Sequence, residues 1–130
     1  MHRSRLAGFI IDCLGEDLDG ASDFWSQALG LPRRRDKATE DAGYIKLEMP
    51  PGKSLGEMDI EVQKVDHPSR VHLDIEADDI PAEVARLERL GAKKIAEIKG
   101  WVVMAAPTGH RFCVVKAKSG GFDENANRWE

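Results

Sequence analysis

The chain has 130 residues, of which 42% are apolar and 32% charged, and its formal net charge is −4. That length reads as one domain, 1–130, with enough buried surface for an ordinary core, and the composition excludes a disordered chain. No apolar run approaches a membrane span, and the acidic balance argues against a nucleic-acid surface.

The first stretch, MHRSRLAGFIIDC, sets basic residues before a short apolar run. Asp12 interrupts that run, so it reads as a strand over Leu6–Cys13 and not as a leader. Two cysteines, Cys13 and Cys113, give no disulfide framework and point to a reducing cytoplasm. His2, ahead of the strand, is expected to fray. A helix follows from about Leu18 to Leu29. Ala21, Phe24, Trp25, Ala28 and Leu29 make its apolar stripe, and Gly30 and Pro32 stop it. Phe24 and Trp25 are read as core. Two short strands come next, near Arg33–Lys37 and Tyr44–Met49, with a charged turn between them. Pro50-Pro51-Gly52 breaks the chain. Glu57–Val65 then alternates, with Met58, Ile60 and Val62 against Asp59, Glu61 and Gln63.

Asp66-His67-Pro68-Ser69 is a polar turn and the candidate boundary between two halves, about 5–66 and 70–117. Arg70–Asp79 alternates again. Val71, Leu73 and Ile75 are read into a core, and His72, Asp74 and Glu76 onto the opposite face. Asp78 and Asp79 stop the strand and cap a helix over Ala82–Leu90, which Gly91 ends. Lys93–Glu97, Trp101–Ala106 and His110–Lys116 read as strands. The tail from Lys118, with its glycine pair, is mobile or packed over an edge or a partner.

The order is strand, helix, three strands, twice over. Asp17 and a helix ending Leu29-Gly30 are echoed about sixty residues on by Asp78 and a helix ending Leu90-Gly91. The fold class is therefore α+β: two βαβββ units, each a curved mixed sheet with a helix on its apolar, convex face.

With Phe24-Trp25, Leu29-Gly30 and Ala106-Pro107-Thr108-Gly109-His110-Arg111-Phe112 added, the chain from about 5 to 117 resembles the vicinal-oxygen-chelate superfamily. That superfamily holds glyoxalase I, extradiol dioxygenases and bleomycin-resistance proteins, and the glyoxalase-like branch is the nearest in pattern. The resemblance implies that the sheets form a cup with up to four metal ligands on its wall. Those positions fall on His72, Cys113, Glu61 and, in the first strand, on or near Gly8, which has no side chain to ligate. His72 and Glu61 keep ligand types, so the full site is incomplete. Cys113 replaces the usual carboxylate and suits zinc or iron.

Strand parity adds Asp12, Lys46, Glu48, Asp74 and Glu76 to the polar wall, and Trp101 can stack on a ligand. Three functions stay open. The first is a metal-dependent lyase, isomerase or dioxygenase using Glu61 and His72 as ligands or acid–base groups. The second is a metal-free pocket that sequesters a cationic, planar molecule, as bleomycin-resistance proteins do. The third is a metal-free enzyme using His72, Glu61 and Asp74, as in glyoxalase-like proteins linked to pterin carbinolamine dehydration. A divalent metal or no cofactor fits equally. The resemblance also implies a homodimer that binds a small molecule, and the charge and composition point to no nucleic-acid or membrane partner.

Overall fold

The computed structural model describes residues 1–48, 58–118 and 121–130. Met49, the Pro50-Pro51-Gly52 break, Glu57 and Gly120 lie outside them. The elements are β1 (His2–Leu14), α1 (Leu18–Leu29), β2 (Arg33–Arg34), α2 (Lys37–Asp41), β3 (Tyr44–Leu47), β4 (Asp59–Val65) and β5 (Arg70–Ala77). They continue as α3 (Ile80–Arg89), β6 (Lys93–Ile98), β7 (Trp101–Ala105), β8 (Arg111–Lys116), α4 (Phe122–Asn125) and β9 (Asn127–Trp129). This is the α+β class with two βαβββ passages. The chain forms two compact units, Phe9–Val71 and a second made of Met1–Gly8 with His72–Glu130. The long strand β1 contributes to both.

In the unit 9–71 the strands run in the order β2-β3-β4-β1. Ile11, Leu31, Leu47, Ile60 and Val62 form its core, with Leu18, Ala21 and Trp25 of α1 packed against them. Asp17 caps α1, its side chain accepting from the Gly20 N–H at 2.8 Å. Gly30 ends the helix in the left-handed region at φ 70°, its N–H on the Ser26 carbonyl. Two expectations fail here. Phe24, Ala28 and Leu29 of the expected stripe are exposed, Phe24 at 61% and edge-on to Trp25 at 5.1 Å between centroids. At 100° per residue Leu18, Ala21 and Trp25 share one narrow stripe, and Phe24 lies about 100° round from Trp25. The strand expected over Arg33–Lys37 stops at Arg34, and the charged turn is the helix α2. Asp36 accepts from the Ala38 N–H, and Glu40 accepts from the Asp36 N–H, both at 3.0 Å. That reciprocal cap satisfies the first donors of a short helix.

In the other unit the order is β1-β5-β8-β7-β6, with β9 antiparallel to residues His2–Ser4 of β1. Ala77, Val84, Leu87, Val102, Met104 and Val114 form the core, and Ile75, Ile80, Ala92 and Phe112 pack on it. Asp79 alone caps α3, accepting from the Ala82 N–H at 3.0 Å. Asp78 instead accepts from the Arg3 N–H at 2.8 Å and from Arg3 Nε at 2.9 Å. Val71 and Leu73, expected in a core, are 58% and 50% exposed. The ten residues of α3 span about 15 Å, and they cover Ile75 and Ala77 but not Leu73.

His2 is not frayed. It is 7% exposed, and its Nε2 lies 2.9 Å from Oε1 of Glu83, a carboxylate with no exposure at all. The tail packs over an edge as β9, one of the alternatives its composition left open.

Candidate functional site

Alternation on β5 drives the site. Ile75 and Ala77 enter the core beneath α3, so His72, Asp74 and Glu76 stand on the opposite face. On β8 Phe112 and Val114 enter the same core, which leaves Cys113 and Val115 on the far side. The parallel β5–β8 register sets Asp74 beside Cys113 and Glu76 beside Val115. On β7 Val103 is opposite Cys113, and half-buried Trp101 shares that face.

The structure brings His72, Asp74 and Cys113 together. One donor atom from each lies within 4.8 Å of the other two. Cys113 is buried, and the His72 and Asp74 side chains keep 12% and 17% exposure. His72 Nε2 approaches Asp74 Oδ1 at 3.3 Å without hydrogen-bond geometry. That oxygen is shut off from solvent and has no hydrogen-bond partner. A buried carboxylate oxygen without a donor is costly. Glu76, one alternate residue along, is 2% exposed and is answered by Arg5 Nε at 2.9 Å.

The donor set fits a divalent ion. Bonds of about 2.0–2.3 Å put tetrahedral ligands about 3.3–3.8 Å apart, so a small contraction would bring these three atoms to an ion. Imidazole, thiolate and carboxylate together suit zinc or ferrous iron over magnesium or calcium. The ion would also supply the partner that Asp74 Oδ1 lacks. Cys13 contrasts with Cys113. It donates weakly to the Ile11 carbonyl at 3.6 Å, and burial pushes its thiol up.

Asp12, Lys46, Glu48 and Glu61 belong to the unit 9–71. Asp12 is 2% exposed, with Oδ2 3.8 Å from Arg70 Nε. Lys46 stands in register with Glu61 and places Nζ 3.0 Å from Asp59. Glu48 is exposed just past β3, 4.0 Å from Arg34 Nε. That unit also holds a cleft of about 440 Å³ lined by Glu16, Asp19, Arg35, Glu40 and Lys64 among others. Its cations are already spent on its own carboxylates: Arg35 on Asp19 and Glu40, and Lys64 on Glu16.

Two residues beside the site were not singled out in the sequence, Arg5 and Phe122. Arg5 pairs with Glu76, and its guanidinium carbon lies 6.0 Å from the Phe122 ring centroid. Alternation in β1 was a usable signal for Arg5. Nothing local marks Phe122.

The glyoxalase-like domain family matches residues 8–115. No curated protein matches the chain. Among solved structures, a hypothetical protein from Bacillus halodurans is similar at 15% identity, with TM-score 0.60 over 89% of this chain and 96% of that one. Methylmalonyl-CoA epimerase from Mycobacterium tuberculosis is similar at 16% identity, with TM-score 0.56 over 88% and 90%. A 4-hydroxymandelate synthase variant from Streptomyces coelicolor is similar at 12% identity, with TM-score 0.51 over 91% of this chain and 50% of that one. At these identities the likenesses speak to fold. The family match covers most of the chain, which therefore belongs to the glyoxalase-like domain family.

Proposed function

We propose that this chain binds a small, oxygen-bearing molecule on the His72–Asp74–Cys113 face and holds a zinc- or iron-class divalent ion there. The observation that carries the reading is Asp74 Oδ1, buried and without a donor, beside an imidazole and a thiol. When bound, such an ion polarises a carbonyl or enediolate oxygen of the ligand. Cys113 would contribute a thiolate from a buried position. His72 would contribute a ring nitrogen, and Asp74 the oxygen Oδ1 that has no hydrogen-bond partner. Trp101, on the same face, offers an aromatic surface to a planar ligand.

Co²⁺ titration of the full chain tests this. The expected result is one equivalent bound, with a thiolate-to-cobalt charge-transfer band that Cys113→Ser removes. His72→Ala should weaken uptake at least tenfold. Absence of the band, or uptake unchanged in both variants, overturns the reading.

A second reading rests on the same orphan carboxylate and on Trp101: a cationic, planar ligand bound without metal. A thermal-shift series with planar cations in the presence of chelator checks it, and a flat series at high excess removes it. The homodimer belongs with these proposals. Sedimentation should show a species of twice 14.4 kDa, and a species of 14.4 kDa overturns it.

A further inference from the structure

We infer that the C-terminal segment 121–130 is the end wall of the ligand face, with Phe122 as the residue that limits ligand length. The inference rests on the ion-site reading above and adds what bounds that site. It begins from faces. Antiparallel pairing sets His2 opposite Trp129 and Arg3 opposite Arg128, and residues directly opposite share a face. His2 points to Glu83 of α3. Arg3 and Arg5 therefore point the other way, to the face that carries His72, Asp74, Glu76 and Cys113. The Arg5–Glu76 bond at 2.9 Å agrees with that assignment.

Phe122 is on this face. It is 5% exposed, with the Arg3 guanidinium carbon 5.4 Å and the Arg5 guanidinium carbon 6.0 Å from its ring centroid. Arg3 also bonds Asp78 at 2.9 Å and Asp123 at 3.0 Å, tying α4 to the end of β5. Along β5 the order is then His72, Asp74, Glu76 with Arg5, and finally Asp78 with Arg3 and Phe122. Alternate residues of a strand are about 7 Å apart. A ligand chain that starts at the donors and runs along β5 meets the Arg5–Glu76 pair first and the Phe122 packing next.

The segment is fastened from behind. Trp129 Nε1 donates to Ser4 Oγ at 2.9 Å, and the Arg86 guanidinium carbon lies 3.8 Å from its ring centroid. Ser4 and Arg86 both donate to Glu83. A frayed end would carry no such network, so this wall is built.

The test uses the full-length, Co²⁺-loaded protein and straight-chain alkyl hydroxamates from two to eight carbons, which chelate the ion through two oxygens. In the unaltered protein, affinity should fall once the chain is long enough to reach Phe122. Phe122→Ala should raise affinity for octanohydroxamate relative to acetohydroxamate at least tenfold. Loosened packing alone would change every hydroxamate alike, so the readout is the dependence on length. If Phe122→Ala does not fold, Phe122→Leu carries the test, with an expected gain of at least threefold. A length profile moved less than tenfold in Phe122→Ala, or less than threefold where Phe122→Leu carries the test, with Co²⁺ still bound, overturns the wall alone. Failure of the unaltered protein to take up Co²⁺ overturns the ion-site reading and this inference with it.

Discussion

Asp74 and Glu83 each set a carboxylate oxygen out of reach of solvent on one unit, and they have opposite fates. Glu83 accepts from His2, Ser4 and twice from Arg86, at 2.6–2.9 Å. Burial pushes its carboxyl up, but the bonds from Arg86, Ser4 and His2 outweigh that and hold it below the usual range. A depressed folded value stabilises the protein above the unfolded carboxylate range, and the contribution is lost as pH falls through the folded value. Urea midpoints followed from neutral to acid pH should therefore fall more steeply for the native chain than for Glu83→Gln, and parallel curves would refute this. Asp74 has no such donors at Oδ1, so removing its charge should help the metal-free fold. Asp74→Asn should gain about 1 kcal/mol in chelator and lose Co²⁺ affinity, read from urea unfolding with and without the ion. The placement of His72 and Asp74 on one face was legible because a period of two needs no tertiary information. The partner across the sheet was not: Cys113 reaches Asp74 through a parallel register that no local pattern encodes. Glu61 was read from resemblance, and its observed setting is the register position opposite Lys46.

Elements were legible where one face decides the outcome. The start and glycine stop of α1 were visible, since Asp17 and Gly30 each have a local cause, but of its expected stripe only Ala21 and Trp25 reach the core. Which aromatic entered the core was not visible, because adjacent residues differ by 100° and a broad stripe holds both. Trp25→Ala should cost about 3 kcal/mol and Phe24→Ser at most about 1, by denaturant unfolding. Equal losses would mean that Phe24 has a buried role. The helix α2 was missed because basic residues flank it and the capping pair spans Asp36 and Glu40, a spacing longer by one than the usual box. On β5 the period was right, but helix length limits how much apolar face is covered. Leu73 stays exposed although its alternation matches that of Ile75.

The duplicated order made the fold class readable at the scale of the whole chain, and it drew attention away from the ends. Neither end resembles its counterpart in the repeat, and the two are joined: β9 extends the sheet at His2–Ser4, while Trp129 stacks under Arg86. A strand of three residues has little intrinsic preference, so side-chain anchoring must hold it. The Arg86–Trp129 stack is partly desolvated and should contribute about 1–2 kcal/mol. A double-mutant cycle isolates that coupling from the bonds Arg86 makes to Glu83. Arg86→Ala and Trp129→Ala should each destabilise, and together should fall short of their sum by at least about 1 kcal/mol. Lys94→Ala shares no partner with Trp129 and should add to Trp129→Ala within about 0.5 kcal/mol. Simple additivity for the Arg86 pair would show that β9 is held by its backbone ladder alone, and the fastening assigned to the chain's two ends would be lost.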